Sequence, residues 1–206
     1  MKHYFSRIFI TIMFLLVANT VFAASTTFVS YGEPTYIYLN TKEASFNYDD
    51  DGEDIRFFTD NQNNLRLFNK KGTNDYLSFI PYGGINEGVS YTVREVHTKS
   101  PSMTFYEIIA DRGAKGMNCG YWLIGKCNDK WVTFVSLNSL ASMGYTLNEW
   151  HHISSNIDNN GRLILTSTHK YMPPGAEYEY QKKTVKDLVV QLFWDSSANW
   201  FGLKRI

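Results

Sequence analysis

Short runs in which apolar and polar residues alternate recur along this chain, and turn-forming residues separate them at intervals of about 8–12 residues. Because successive side chains of a strand point to opposite faces, such runs are typical of half-buried strands. The 14 Tyr, 14 Phe and 5 Trp residues favour strands as well. We therefore expect an all-β, mainly antiparallel fold, either a β-sandwich or a small barrel of meandering hairpins, with at most one or two short helices. The clearest early runs are Thr35–Leu39, Ser45–Tyr48, Ile55–Phe58, Leu65–Phe68, Tyr76–Tyr82, Ser90–His97 and Met103–Ala110.

Two later segments are compatible with a helix. The stretch NSLASMG, residues 138–144, predicts a single helical turn that ends at Gly144. Residues 184–194 are ambiguous, because their apolar residues fit one face of a helix and also alternate as in a strand. Val, Phe and Trp dominate this second segment, so we interpret it as a strand.

The N-terminal residues have the layout of a secretory signal peptide. Two basic residues precede an apolar run from Ile8 to Val17, and Val21-Phe22-Ala23 resembles an A-x-A cleavage site. The run is shorter than the roughly 20 residues that a membrane-spanning helix needs. We therefore expect residues 1–23 to be removed and residues 24–206 to form a single β-rich domain. That domain is expected to be soluble, without a membrane span, and exported to the periplasm or the cell exterior.

The balanced charge of the chain and the absence of common catalytic motifs from its sequence limit the classes of function that we expect. The chain has 20 basic and 20 acidic residues, so it lacks the net positive charge that is typical of nucleic-acid-binding proteins. It contains neither a nucleophile elbow of the form G-x-S-x-G nor a glycine-rich phosphate loop. We therefore expect a non-catalytic module, in the cell envelope or outside the cell, that binds a partner protein or a carbohydrate and no nucleic acid. The alternative is a metal-dependent or hydrolytic enzyme built on the histidines described below.

The only two cysteines, Cys119 and Cys127, lie in the stretch CGYWLIGKC. In an oxidising compartment we expect them to form a disulfide, since two thiolates alone are too few for structural zinc. A strand of this length would hold their Cα atoms about 26 Å apart, whereas a disulfide needs them within about 7 Å. The disulfide therefore requires a loop with a bend at Gly120 or Gly125. The alternative is a hairpin with YWLIGK and WVTFVS as strands and Asn128-Asp129 as the turn.

The acidic stretch FNYDDDGEDIRFF is a candidate cation site. Asn47, Asp49, Asp51 and Gly52 match ligand and turn positions of a calcium-binding loop. Phe58 stands where such a loop has its bidentate Glu, and the flanks have the pattern of strands. We therefore expect a hairpin here, with Asp49 and Asp51 as candidate ligands of calcium or another divalent ion. The alternative is a solvated turn whose acidic residues protect a sheet edge.

His152 and His169 form the second candidate metal site. If Asn160-Gly161 is a two-residue hairpin turn, these histidines lie directly opposite each other, with Cβ atoms about 5 Å apart. Two imidazoles at that distance can share a metal ion or a proton. A looser loop with Ile157 opposite Arg162 would make the pair diagonal. Since the sequence indicates no third ligand, the alternative is two polar strand residues.

Four aromatic residues in the C-terminal part of the chain are candidate ligand-binding residues. Flat, exposed aromatic rings would suit sugar rings or a partner protein. Aromatic residues of a β domain more often form its core, so their exposure decides between the two roles. The four residues are Trp150, Tyr171, Trp194 and Trp200.

Overall fold

The structure is a computed structural model that describes residues 27–37, 43–48, 53–69, 75–82, 88–99, 102–112, 117–145, 151–178 and 181–206. These residues form fourteen strands and one short helix, arranged in three antiparallel sheets. Within these ranges, no helix has the length and the apolar character that a membrane span requires. The predicted signal peptide, residues 1–23, lies outside them.

The described residues form fifteen elements. In chain order they are β1 (Phe28–Tyr31), β2 (Thr35–Ile37), β3 (Glu43–Tyr48), β4 (Glu53–Thr59), β5 (Leu65–Asn69), β6 (Asp75–Phe79), β7 (Val89–Thr98), β8 (Thr104–Arg112), β9 (Met117–Cys127), β10 (Lys130–Ser136), α1 (Leu137–Ala141), β11 (His151–Ile157), β12 (Leu163–Tyr171), β13 (Lys183–Asp195) and β14 (Trp200–Arg205).

A central sheet separates two meanders. The central sheet has the order β1-β7-β8-β9-β10, and β2 pairs with β7 beside β1. Strands β3 to β6 form the N-terminal sheet and strands β11 to β14 form the C-terminal sheet, each in chain order. Each of these two sheets packs against one face of the central sheet.

Alternation along the central strands supplies two hydrophobic cores. On β8, Tyr106 and Ile108 face the N-terminal sheet, whereas Phe105 faces the C-terminal sheet. The first core combines such residues with Phe57, Leu65, Leu67 and Phe79 of the N-terminal sheet. The second combines Phe105, Tyr121 and Phe134 with Leu165, Leu192 and Trp194 of the C-terminal sheet. Burying one such large side chain stabilises the folded state by about 1.5–3 kcal/mol. Both cores therefore stabilise the packing of the outer sheets on the central sheet.

The predicted all-β, antiparallel fold is confirmed. Among the described residues the sheets stack in layers, and none of the three closes on itself as a barrel would. Strand β13 confirms the strand interpretation of residues 184–194. Helix α1 confirms the helical turn after β10, and Gly144 follows it with a left-handed φ of +95°.

The predicted disulfide between Cys119 and Cys127 is wrong. Both thiols are free, because the whole stretch belongs to β9 and its ends are held about 26 Å apart by the extended backbone. The hairpin alternative is correct, since β9 pairs with β10 across a turn at Asn128 and Asp129. Both turn residues have positive φ, 50° and 61°, as expected for a tight hairpin turn.

Candidate functional site

Charged side chains interrupt the face of the central sheet that packs against the C-terminal sheet. Arg94 of β7 and Glu107 of β8 lie directly opposite each other in the register. Arg94 Nε donates a hydrogen bond to Glu107 Oε2 at 2.6 Å. The Glu107 side chain is fully buried, whereas that of Arg94 is 22% exposed. An ion pair with compensated charges therefore lies between the two sheets.

Three further strands complete the hydrogen bonds of this ion pair. Tyr121 of β9 donates its hydroxyl to Glu107 Oε1 at 3.0 Å. The Ser155 hydroxyl of β11 accepts hydrogen bonds from Arg94 Nη2 and from the Tyr31 hydroxyl of β1, the latter at 3.1 Å. The Arg94 guanidinium also lies over the Tyr31 ring, 3.7 Å from its centroid. The network thereby links β1, the central sheet and the C-terminal sheet.

Burial extends to higher pH the range in which both phenols of the network stay protonated. It raises the pKa of Tyr31 to about 12, and the Glu107 charge acts in the same direction. Burial and the Glu107 carboxylate also raise the pKa of Tyr121 well above its usual value of 10.0. Tyr31 and Tyr121 therefore remain hydrogen-bond donors at neutral pH.

Asn118 forms a second polar link between the sheets. A register shift between Ala110 and Asp111 marks a β-bulge where β8 pairs with β9. The buried Asn118 side chain donates to the Asp111 carboxylate and accepts from the backbone N–H of Ile153 at the edge of β11. Burial raises the pKa of Asp111, while the Asn118 hydrogen bond and the nearby His152 oppose this rise.

A cleft of about 410 Å³, which we call the polar cleft, lies between the central sheet and β11. The ion pair and the Asp111–Asn118 pair line it. Tyr36 of β2 stands beside it with 53% of its surface exposed. The cleft therefore combines hydrogen-bonding groups with one accessible aromatic ring. Its ionisable residues, apart from this tyrosine, are Arg94, Glu107, Asp111 and His152, and the other lining residues are Pro34, Thr92, Ile109, Asn118 and Ile153–Ser155.

A second cleft, of about 830 Å³, lies at the other end of β11 and is called the turn cleft. It is lined by residues 27–31, Arg94 and residues 155–161. The β11–β12 turn docks on β1, since the Phe28 N–H donates to the Gly161 carbonyl at 2.9 Å. Arg94 and Ser155 line both clefts, so the two clefts meet at the ion-pair network.

The predicted pairing of His152 with His169 is wrong by one residue. The register places His152 opposite Thr168, whereas the backbone of His151 lies opposite His169. Since neighbouring strand residues point to opposite faces, the side chains of His152 and His169 lie on different faces of the C-terminal sheet. The two imidazoles therefore do not converge on one ion.

Asp158 causes this difference in register. Its N–H donates to the Arg162 carbonyl at 2.9 Å, and its carboxylate accepts from the N–H groups of Asn160 and Arg162, each at 2.9 Å. These bonds close a five-residue loop in place of a two-residue turn, and Ile157 lies opposite Leu163. Every cross-strand partner is then displaced by one position.

The other predicted cation ligands are separated or lie elsewhere. His169 Nδ1 hydrogen-bonds Asp187 of β13, away from the polar cleft. In the part of the chain that the structure describes, no three His, Cys, Asp or Glu side chains are grouped to hold a metal ion. Asp49 and Asp51 lie outside the described residues, so the calcium site stays a prediction.

The candidate aromatic residues differ in exposure. Trp194 is only 3% exposed, and its ring packs against Phe134 and Phe201 at centroid distances of 5.3 Å each. Its predicted role in ligand binding is therefore wrong, because the core covers its faces. Trp200 and Tyr171 are 39% and 38% exposed, but neither lines the polar cleft or the turn cleft. Trp150 lies outside the described residues.

Sequence reasoning missed the residues that form the polar cleft. In β7 the alternation of Val89, Tyr91 and Val93 predicts that Arg94 lies on the polar face of the strand. The C-terminal sheet covers this second face as well, and the sequence pattern of one strand does not reveal that cover. Asp111 and Asn118 come together through a bulge, which the sequence pattern does not reveal.

Comparison of the chain with models of protein families, with curated proteins and with solved structures finds no match.

Proposed function

We propose that this chain is an exported, non-catalytic module that binds an uncharged, polyhydroxylated ligand, such as a sugar unit, in the polar cleft. Export is proposed from the signal-peptide pattern of residues 1–23. The volume of the cleft, about 410 Å³, lies within the range of roughly 300–1,000 Å³ that is usual for small-molecule sites.

The observation that carries the proposal is that internal partners already engage charged groups of the cleft. Arg94 is neutralised by Glu107, and the Asp111 carboxylate accepts a hydrogen bond from the uncharged Asn118 amide. A charged ligand would have to compete with these internal partners, since an unpaired buried charge is costly. A hydroxylated ligand can instead add hydrogen bonds to donors and acceptors that are already oriented. The exposed face of Tyr36 offers an apolar contact for a ring.

An acid–base enzyme is the second candidate, because Asp111 has a raised pKa and shares the cleft with His152. Glycosidases need two carboxyl groups about 5–9.5 Å apart. Asp111 and Glu107 are four residues apart on β8, so their Cα atoms are separated by about 13 Å. Glu107 is also engaged by Arg94 and Tyr121. Because Glu107 is held in these bonds, the cleft favours binding over hydrolysis.

An array of immobilised neutral and acidic oligosaccharides tests the proposal. We expect the wild-type protein to bind neutral glycans, and the variants His152→Ala and Thr92→Leu to bind them at least about tenfold more weakly. His97→Ala is the matched control, because His97 lies on the opposite face of β7 and contacts Thr104. Binding restricted to acidic glycans, or equal binding by all variants, contradicts the proposal. Release of shortened products from a bound glycan would favour the enzyme.

A further inference from the structure

We propose that the ligand is a linear chain of sugar-like units that runs along β11 from the polar cleft into the turn cleft. This inference rests on the proposed function of the polar cleft and specifies the shape of its ligand. It predicts that chain length controls affinity, and that residues far from His152 contribute to binding.

The continuity of the two clefts is the first argument. Residues 152–155 of β11 line the polar cleft, and residues 155–157 with the following turn line the turn cleft. Arg94 and Ser155 belong to both linings. The linings of the two clefts follow β11, whose seven residues extend for about 23 Å. A binding path of this length is too long for a single sugar ring and suits a chain.

The chemistry of the turn cleft is the second argument, because it matches that of the polar cleft. Its side chains include the amides of Asn156, Asn159 and Asn160 and the hydroxyl of Ser30. Its one carboxylate, Asp158, is bound by Arg162, whose Nη2 lies 2.6 Å from Asp158 Oδ2. Uncharged donors and acceptors are therefore available at both ends of β11, as repeated hydroxylated units require.

Arg94 and Ser155, where the two clefts meet, are held in position by hydrogen bonds within the protein before any ligand binds. The Ser155 hydroxyl accepts from Arg94 and Tyr31, which fixes its orientation. All three side chains are partly exposed. Groups that are already oriented lose little conformational entropy on binding, so a ligand crossing here would gain affinity from both clefts.

Calorimetric titration with a length series tests the inference. The probes are cello-, malto- and chito-oligosaccharides, each from the disaccharide to the hexasaccharide. For the series that binds, we expect affinity to increase by about tenfold or more with length. The variants Asn156→Ala and Asn159→Ala should lose this increase and keep the wild-type affinity for the disaccharide. Asn61→Ala, an exposed residue in the β4–β5 turn, is the matched control and should behave as wild type.

The possible results separate the inference from the function on which it rests. Disaccharide binding that His152→Ala weakens, without any gain from longer chains, overturns the inference and leaves the proposed function standing. A length dependence that survives in both asparagine variants also overturns it, because the chain then leaves the polar cleft by another path. If no oligosaccharide binds, both the inference and the proposed function are overturned.

Discussion

Arg94 and Glu107 form a cross-strand ion pair in which Nε and Oε2 are 2.6 Å apart and the carboxylate is fully buried. This pair lies between the central sheet and the C-terminal sheet, where the polar cleft meets the turn cleft. The same arginine stacks on Tyr31 and hydrogen-bonds Ser155. One cross-strand contact thus connects the packing of the sheets with the shape of both clefts.

The two partners of this pair should differ in their effect on stability. Arg94→Ala leaves a buried carboxylate without its counter-charge, and we expect the free energy of unfolding to fall by about 3–5 kcal/mol. Glu107→Gln leaves an arginine that is partly exposed and still hydrogen-bonded to Ser155. We therefore expect a smaller decrease in the free energy of unfolding, about 1–3 kcal/mol. Urea unfolding followed by tryptophan fluorescence measures both values.

Lys130→Ala, an exposed residue of the same sheet, is the control for these two variants and should stay close to wild type. Glu107→Gln could lower the free energy of unfolding as much as Arg94→Ala, or neither variant could differ from the control. Either result would show that the difference in burial between the two partners does not determine what the pair contributes to stability.

The free thiols predict a specific labelling pattern. Cys127 is partly exposed, whereas Cys119 is buried and burial raises its pKa to about 11. Without reductant, a maleimide at neutral pH should therefore label the native protein once and the denatured protein twice, as counted by mass spectrometry. A denatured, unreduced protein that takes up no label would show that the cysteines are bonded after all.

Alkaline pH should destabilise the fold. Burial raises the pKa of the Cys119 thiol from 9.0 to about 11 and that of the Tyr31 phenol from 10.0 to about 12. Between about pH 9 and 11 for Cys119, and between about pH 10 and 12 for Tyr31, the unfolded chain loses the proton while the folded chain retains it. The free energy of unfolding therefore falls as pH rises through this window. This contribution is fully present below about pH 9.

Urea titrations across this pH window measure the effect. Tyr31→Phe removes one of the titrating groups, so the stability of this variant should decline less steeply with pH than that of the wild type. Identical slopes for the two proteins would show that Tyr31 ionises as easily in the folded state as in the unfolded chain.

Alanine variants of two glycines with positive φ distinguish the cost of backbone strain from the cost of a steric clash. A Cβ at Gly161, φ +69°, would lie 2.2 Å from Thr27 Cγ2 and 3.0 Å from the Phe28 carbonyl oxygen. Gly175, φ +81°, has no atom within 4 Å of the corresponding position. Both alanine variants have the strained backbone, but only Gly161→Ala must also displace β1.

We therefore expect Gly161→Ala to be less stable than Gly175→Ala by about 1–3 kcal/mol, as measured by thermal unfolding. Equal losses for the two variants would mean that the turn does not pack on β1 as described.

The fold class was predictable because burial on one face of each strand leaves a two-residue period in the sequence. In residues 184–194 the spacing of apolar residues fits both a helix and a strand, and the high content of Val, Phe and Trp correctly indicates a strand. The His152 register was not predictable from its turn residues, because the Asp158 side chain closes a longer loop. An oxidising compartment favours a disulfide between Cys119 and Cys127, but the strand between them holds the two thiols apart.

The candidate site was harder to predict than the fold. Arg94 and Glu107 are 13 positions apart, and only the strand register brings them together. Asn118 reaches β11 across the gap between two sheets, and no local pattern encodes that contact. Sites formed by the stacking of sheets therefore require the tertiary structure, even where each strand is evident from its sequence.

Amide chemical shifts recorded during titration with the best-binding neutral hexasaccharide locate the binding site residue by residue. We expect the largest shifts at Thr92, Asn118, His152 and Ser155, around the polar cleft, and none in β4 and β5 of the N-terminal sheet. Shifts confined to the N-terminal sheet, or an unchanged spectrum at saturating ligand, would contradict the assignment of the polar cleft as the binding site.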